Sequence, residues 1–200
     1  MINQILVCLV GSAMAVVSAS ALPTVSFSDG PGNTGGGEFY AATSANGSFT
    51  TFCLEYNEHI SFGTTYYYEV SQAAKYNGSY PNTDPLSKAT AWLYLQFLNN
   101  TLAGYSHTQG AANELQQAFW FLEGETGGVN NSYAQLAATT AGTGDNNGYY
   151  GVGVMNLWAN ADGTGASQDQ LIRVPDGGST LTLLSMGIGF LGLVSRRVRS

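Results

Sequence analysis

Along this chain the spacing of apolar residues changes twice, and each change limits what the segment can become. From Phe49 to Tyr56 the period is two: Phe52, Leu54 and Tyr56 share one face, and Cys53, Glu55 and Asn57 the other. That pattern predicts a strand with one apolar face. The stretch TTYYYEVS, residues 64–71, predicts a second strand, rich in aromatics that favour the pleat. Beyond a loop marked by Asn77-Gly78 and by Pro81 through Pro85, the period lengthens. In DPLSKATAWLYLQFLNN the residues Leu86, Thr90, Leu93 and Phe97 fall on one helical face, with Asp84 placed as N-cap and Pro85 at the first helical position. GAANELQQAFWFLEGE predicts a second helix carrying Leu115, Phe119 and Leu122 on one side, ended by Gly124 and the Gly127-Gly128 pair. After a Gly/Asn-rich loop at 142–148 the strand-like pattern returns in YYGVGVMNLW (149–158) and QDQLIRV (168–174). The order is strands, two helices, strands. It implies an α+β fold, a β-rich framework, sandwich or barrel-like, with an inserted pair of helices.

Residues 22–49 are rich in Gly, Ser and Asn with scattered aromatics, so irregular strands and turns are expected there. Charged residues make up only 10% of the 200, whereas Gly (26) and Tyr (12) are abundant, which excludes both a disordered chain and a long-helix protein. The formal charge is −7, and Lys75, Lys88 and Arg173 are the only cations between Leu22 and Pro175. Nucleic-acid binding needs a basic stripe to neutralise phosphates, so that class is set aside.

Both ends read as addresses. Residues 2–21 hold a short apolar run and then small residues, with Ala19-Ser20-Ala21 fitting a signal-peptide cleavage site, though the usual leading Lys or Arg is missing. Cys8 would leave with the signal, and the remaining chain would fold in an oxidising compartment with Cys53 as its single thiol. At the other end a Val174-Pro175-Asp176-Gly177-Gly178 turn leads into an apolar stretch from about Leu181 to Val194 and then to Arg196, Arg197 and Arg199. That stretch is short for a bilayer span of about 17–20 residues, and the arginines would hold the tail on the cytoplasmic side. This three-part tail resembles the PEP-CTERM sorting signal in its VPDGG variant. The resemblance implies recognition by an exosortase-type sorting enzyme, transient residence in the inner membrane through the C-terminal helix, delivery to the cell surface or extracellular matrix and, by association, a biofilm setting. The expected organisation is therefore a signal helix at 1–21, an α+β domain at 22–173 and a hydrophobic sorting tail at 174–200.

Several chemistries are conceivable inside the domain. A cysteine hydrolase would need Cys53 beside His59 or His107. One cysteine and two separated histidines offer no metal-ligand spacing, and the acids Glu55, Glu58, Glu123 and Glu125 read as surface groups rather than a glycosidase pair. No cofactor is expected. Trp92, Trp120 and Trp158 read as core, with a sugar-binding face as the alternative.

The pair Phe52-Cys53 and the later Gln116-Gln117-Ala118-Phe119-Trp120 together resemble the two motifs of bacterial surface thioester domains: an aromatic-Cys strand, then a Gln-containing helix. Leu115 stands where Thr is usual and Phe119 where Ile is usual. The resemblance spans roughly residues 45–175 and includes SKATAWLYLQF and QDQLIRV. It implies an internal Cys53–Gln116 thioester in a pocket shielded by Phe52, Tyr56, Phe119 and Trp120. Such a group acylates an amine or hydroxyl on a matrix polymer or surface protein once, without turnover, so the protein would not be an enzyme. The competing expectation is a non-covalent structural or carbohydrate-binding matrix protein, with Cys53 a small buried hydrophobe.

Overall fold

The computed structural model describes residues 21–33, 36–75 and 83–174. The signal segment, the tail from Pro175 onward and the loop around Asn77-Gly78 lie outside these residues. The chain opens with an antiparallel meander, β1 (Thr24–Asn33), β2 (Gly36–Thr43) and β3 (Gly47–Thr51). β1 also pairs with β4 (Thr65–Ser71), β4 with β7 (Val152–Trp158), and β7 with β8 (Ala166–Arg173), giving the order β3-β2-β1-β4-β7-β8. A two-stranded ribbon, β5 (Ala73–Lys75) with β6 (Thr83–Pro85), stands apart.

The six-stranded sheet curls until its two ends meet. Just past β3, the Leu54 N–H donates to the Asp169 carbonyl (3.0 Å) and the Leu171 N–H to the Phe52 carbonyl (3.1 Å), bracketing a Cys53–Gln170 bridge. A buried Thr51 hydroxyl adds a 2.6 Å bond to the Leu171 carbonyl at the same seam. Of the two architectures the sequence left open, the barrel-like one is found. Joining the edges at this point pairs backbone groups that would otherwise stand open at the two ends of the sheet.

Three helices cover the curled sheet: α1 (Lys88–Leu98), α2 (Gln109–Leu122) and α3 (Ser132–Ala141). The expected pair is thus one short. α3 is held by the Asn131 side chain, which accepts from the Tyr133 and Ala134 N–H groups, and it buries only Tyr133, Ala134 and Ala137. So small an apolar stripe hides in an Ala/Thr-rich sequence. The N-cap of α1 also differs from expectation. Asp84 and Pro85 lie in β6, and Ser87 caps the helix through its hydroxyl, 3.1 Å from the Thr90 N–H. A serine with extended backbone one step ahead of the first helical turn meets the capping requirement directly. The strands and turns expected over residues 22–49 are found as β1–β3, with a register shift between Asp29 and Gly32 and a turn at 44–46; ladder pairing holds them despite weak strand propensity.

Two apolar clusters result. One joins sheet to helices through Phe52, Leu54, Leu93, Phe97, Leu115, Phe119, Val154 and Leu171. The other contains Val25, Phe27, Phe39, Cys53, Tyr66, Trp120, Met155 and Ile172. Neighbouring residues on the seam, Phe52 and Cys53, therefore feed different clusters, as strand alternation requires.

Candidate functional site

At the seam Cys53 forms a bridge with Gln170 in which the flanking residues make the ladder bonds. Its own N–H and carbonyl therefore point away from β8, and backbone groups buried there need another partner. Gln116 supplies it. The Cys53 N–H donates to Gln116 Oε1 (3.0 Å), and Gln116 Nε2 donates to the Cys53 carbonyl (2.9 Å). One carboxamide thus acts as a surrogate strand, and its carbon is held against the main chain of the residue that carries the thiol. Cys53 is 2% and Gln116 1% exposed.

The helix brings Gln116 there because Leu115 and Phe119 anchor α2 in the helix-side cluster, which turns Gln116 and Trp120 toward β2. The approach is so close that only glycine fits at position 36. A Cβ on Gly36 would sit 2.6 Å from Gln116 Cγ and 2.7 Å from Trp120 Cη2. Tyr56 then packs edge-on against Trp120, with ring centroids 5.0 Å apart, over a gap that Gly127 leaves open. The Tyr56 N–H is fixed by Glu125 Oε2 at 3.0 Å. Among the described residues the buried Trp120 Nε1 has no hydrogen-bond partner.

Of the four expected shielding aromatics, Trp120 shares a cluster with Cys53, and Tyr56 lies against Trp120. Phe52 and Phe119 pack on each other in the helix-side cluster, 5.0 Å apart. The alternation expected through Asn57 stops at Leu54, since Tyr56 is on the Trp120 side rather than beside Phe52.

A cleft of about 550 Å³ reaches Cys53 from solvent, lined by Gly36, Phe39, Tyr56, His59, Phe62 and Gln168 among others. His59 is therefore in the neighbourhood of the thiol, whereas His107 is elsewhere, its Nδ1 2.8 Å from the buried carboxylate of Glu38, which Tyr105 also bonds. Among the described residues neither histidine is hydrogen-bonded to Cys53. Burial pushes the thiol pKa well up, with Glu55 adding to the rise and the Gln170 side chain opposing it. The neutral thiol is the resting form.

Beside the seam lies a group of acids with few counter-charges. Burial raises Glu55 and Asp169, and Glu58 and Asp84 shift the same way for the same leading reason. Glu123 is pushed up to about 7. Asp169 is satisfied by the N–H groups of Lys75 and Leu157 and by Asn156 Nδ2, and Glu55 Oε2 accepts from the Asp169 N–H. Among the described residues no three His, Cys, Asp or Glu side chains converge in a way that could hold a metal ion.

The sequence reading paired Cys53 with Gln116 but passed over Gly36, Gln168 and Gln170. The buried glutamines of β8 carried a signal, since polar residues at inward strand positions need partners. Gly36 carried none, standing in a Gly-rich run where each glycine looks alike.

The sorting motif begins at Val174, whose N–H bonds the Gly151 carbonyl at 2.8 Å; Pro175, Asp176, Gly177 and Gly178 lie outside the described residues, as do Arg196, Arg197 and Arg199. Among the described residues no helix is long and apolar enough to cross a membrane, and the stretch from Leu181 to Val194 is not among them. No curated protein and no solved structure matches the chain. Residues 173–198 match the family described as VPDSG-CTERM motif, with Gly177 where that name has serine. The chain carries a PEP-CTERM-type sorting signal, the kind that an exosortase-type processing enzyme recognises, and is an exported, surface-directed protein.

Proposed function

We propose that Cys53 and Gln116 condense to an internal thioester, through which the exported domain attaches itself covalently to an amine or hydroxyl on a matrix polymer or a surface protein. The observation that carries this is the clamp: both polar atoms of the Gln116 carboxamide are bonded to the Cys53 main chain in a site 1–2% exposed. In the forming step the Cys53 sulfur attacks Gln116 Cδ, the carbon–nitrogen bond breaks, and the thiol proton leaves with the amide nitrogen as ammonia. The Cys53 N–H already donates to the oxygen on which charge would build, the role of an oxyanion-hole donor. A sulfur brought onto Gln116 Cδ by the same clamp would replace a bimolecular encounter, with effective molarities of about 10⁵ M or more when orientation is good.

In the attaching step a nucleophile entering the cleft takes the Gln116 acyl group, the sulfur–carbon bond breaks, and Cys53 recovers its proton. Burial slows competing hydrolysis. Each molecule reacts once, so the role is attachment rather than turnover. The tail would hold the protein at the inner membrane only until processing, placing the domain in an extracellular matrix or biofilm.

The second reading, a non-covalent matrix module, draws on the raised thiol pKa and on the clamp's sufficiency as a purely structural device. Intact mass of the freshly purified exported protein separates the two. The thioester predicts a deficit of one ammonia, absent in Cys53→Ala and Gln116→Ala, and conversion to a methylamine adduct with release of the thiol. Full mass with a stoichiometric free thiol would end the covalent reading. A cysteine hydrolase would instead show turnover lost in His59→Ala.

A further inference from the structure

A second cleft, of about 590 Å³, shares no lining residue with the one above Cys53. It lies where α1, β3, β8 and the 149–151 turn meet, and Phe49, Leu95, Leu98, Tyr149, Tyr150 and Ile172 supply its apolar walls. Three features set it apart. Tyr149 is 75% exposed, the most exposed large hydrophobic side chain among the described residues, and its ring stands edge-on to Tyr150 with centroids 5.1 Å apart. Asn46 and Arg173 line the same cleft with polar groups that reach solvent. The third feature is charge. The described residues hold three cations in all, Lys75, Lys88 and Arg173. Lys75 is consumed by an ion pair with Glu69 and by the Trp158 face. The other two are divided: Arg173 stands in the wall, where its Nη1 also donates to Asn99 Oδ1 (3.4 Å), while Lys88, at the opposite end of α1 and outside the lining, has its Nζ 5.6 Å from the centre of the Tyr149 ring.

A chain of net charge −7 thus places Arg173, a cation with no acidic partner among the described residues, in the wall of one aromatic cleft. An exposed tyrosine face stacks on the C–H face of a sugar ring, an amide serves sugar hydroxyls, and a guanidinium takes a carboxylate in a two-pronged bond. The volume falls within the range of small-ligand sites and fits a few sugar units. We infer that this cleft binds an acidic saccharide of the uronate class, reversibly, with Tyr149 as platform and Arg173 as the carboxylate contact.

Isothermal titration of the full exported protein with tri-galacturonate tests this. Binding is expected with the acidic trisaccharide and is expected to fall about tenfold or more with its carboxyl-reduced counterpart, the loss of one charge-assisted bond. Tyr149→Ala and Arg173→Gln are each expected to cost about the same factor, and Tyr149→Phe to retain affinity. Both side chains are exposed, so an unchanged melting temperature should accompany the loss. Equal affinity for dextran sulfate would reduce the site to a charge patch and overturn the assignment. So would affinity indifferent to Tyr149→Ala, or no binding at all, which would leave the cleft to the chain's own continuation beyond Val174. Because this binding reverses on dilution, it stands or falls separately from the acyl chemistry at Cys53.

Discussion

A single side-chain amide decides how the seam is built. Gln116 spends both its polar atoms on Cys53, and Gly36 makes the room in which it can do so. Gly36→Ala is therefore expected to destabilise by about 1–3 kcal/mol, from overpacking and from an L residue forced to positive φ. Urea unfolding measures that cost. The same variant should lower the fraction of protein showing the ammonia deficit, since Gln116 must shift to admit the methyl group. A Gly36→Ala protein of unchanged stability and mass would mean that the close approach does not matter. At this scale the neighbours were legible in the sequence, a lone thiol after an aromatic and a glutamine one step from a core leucine, and the structure joins them by hydrogen bonds to the Cys53 main chain. The space around them was not legible, because close approach of side chains to a bare glycine backbone leaves no periodic mark.

At the scale of elements, α1 and α2 could be read from their apolar stripes, and β4, β7 and β8 from aromatic or β-branched runs. α3 could not, since Tyr133, Ala134 and Ala137 bury too little to stand out from Ala138, Thr139 and Thr140. Its readable signals were the Asn131 cap and the terminating Gly142. The meander β1–β3 was obscured for the opposite reason: glycine and serine lower strand propensity, and only pairing with β4 and β8 makes the conformation pay. Pro85 misled because its fixed φ suits a strand end as well as a helix start. The two possible caps of α1 give a direct test. Ser87→Ala is expected to cost about 1 kcal/mol. Asp84→Ala should cost no helix stability, and chemical denaturation followed by far-ultraviolet dichroism distinguishes them. Equal losses would return the cap to Asp84.

For the whole molecule, the buried acids set the response to pH. Glu55, Glu58, Asp84, Glu123 and Asp169 are all raised, with burial the first cause. Each binds its proton more tightly folded than unfolded, so the stability it contributes is complete below the ordinary carboxylate range and drains away as pH rises through the folded value. Melting temperature is thus expected to be highest under acidic conditions, to fall toward pH of about 7, the value to which Glu123 is pushed, and to go on falling above it because Glu55 is raised further. Glu123→Gln should make that fall shallower. A stability that climbs with pH over the same interval would contradict the burial of these groups.

The seam carries one more consequence, for the order of events during secretion. Residues 52–54 close onto Asp169–Leu171, so the last strand completes what the first third of the chain begins. Pairing at such sequence separation is slow, since loop-closure entropy must be met before the contacts reward it. A polypeptide threaded across a membrane amino-terminus first cannot lock its shape until Leu171 has emerged, three residues ahead of Val174. The domain thus becomes able to close only as the sorting signal is exposed, and, since closure is slow, a processing enzyme that waits for that signal would meet a chain still closing.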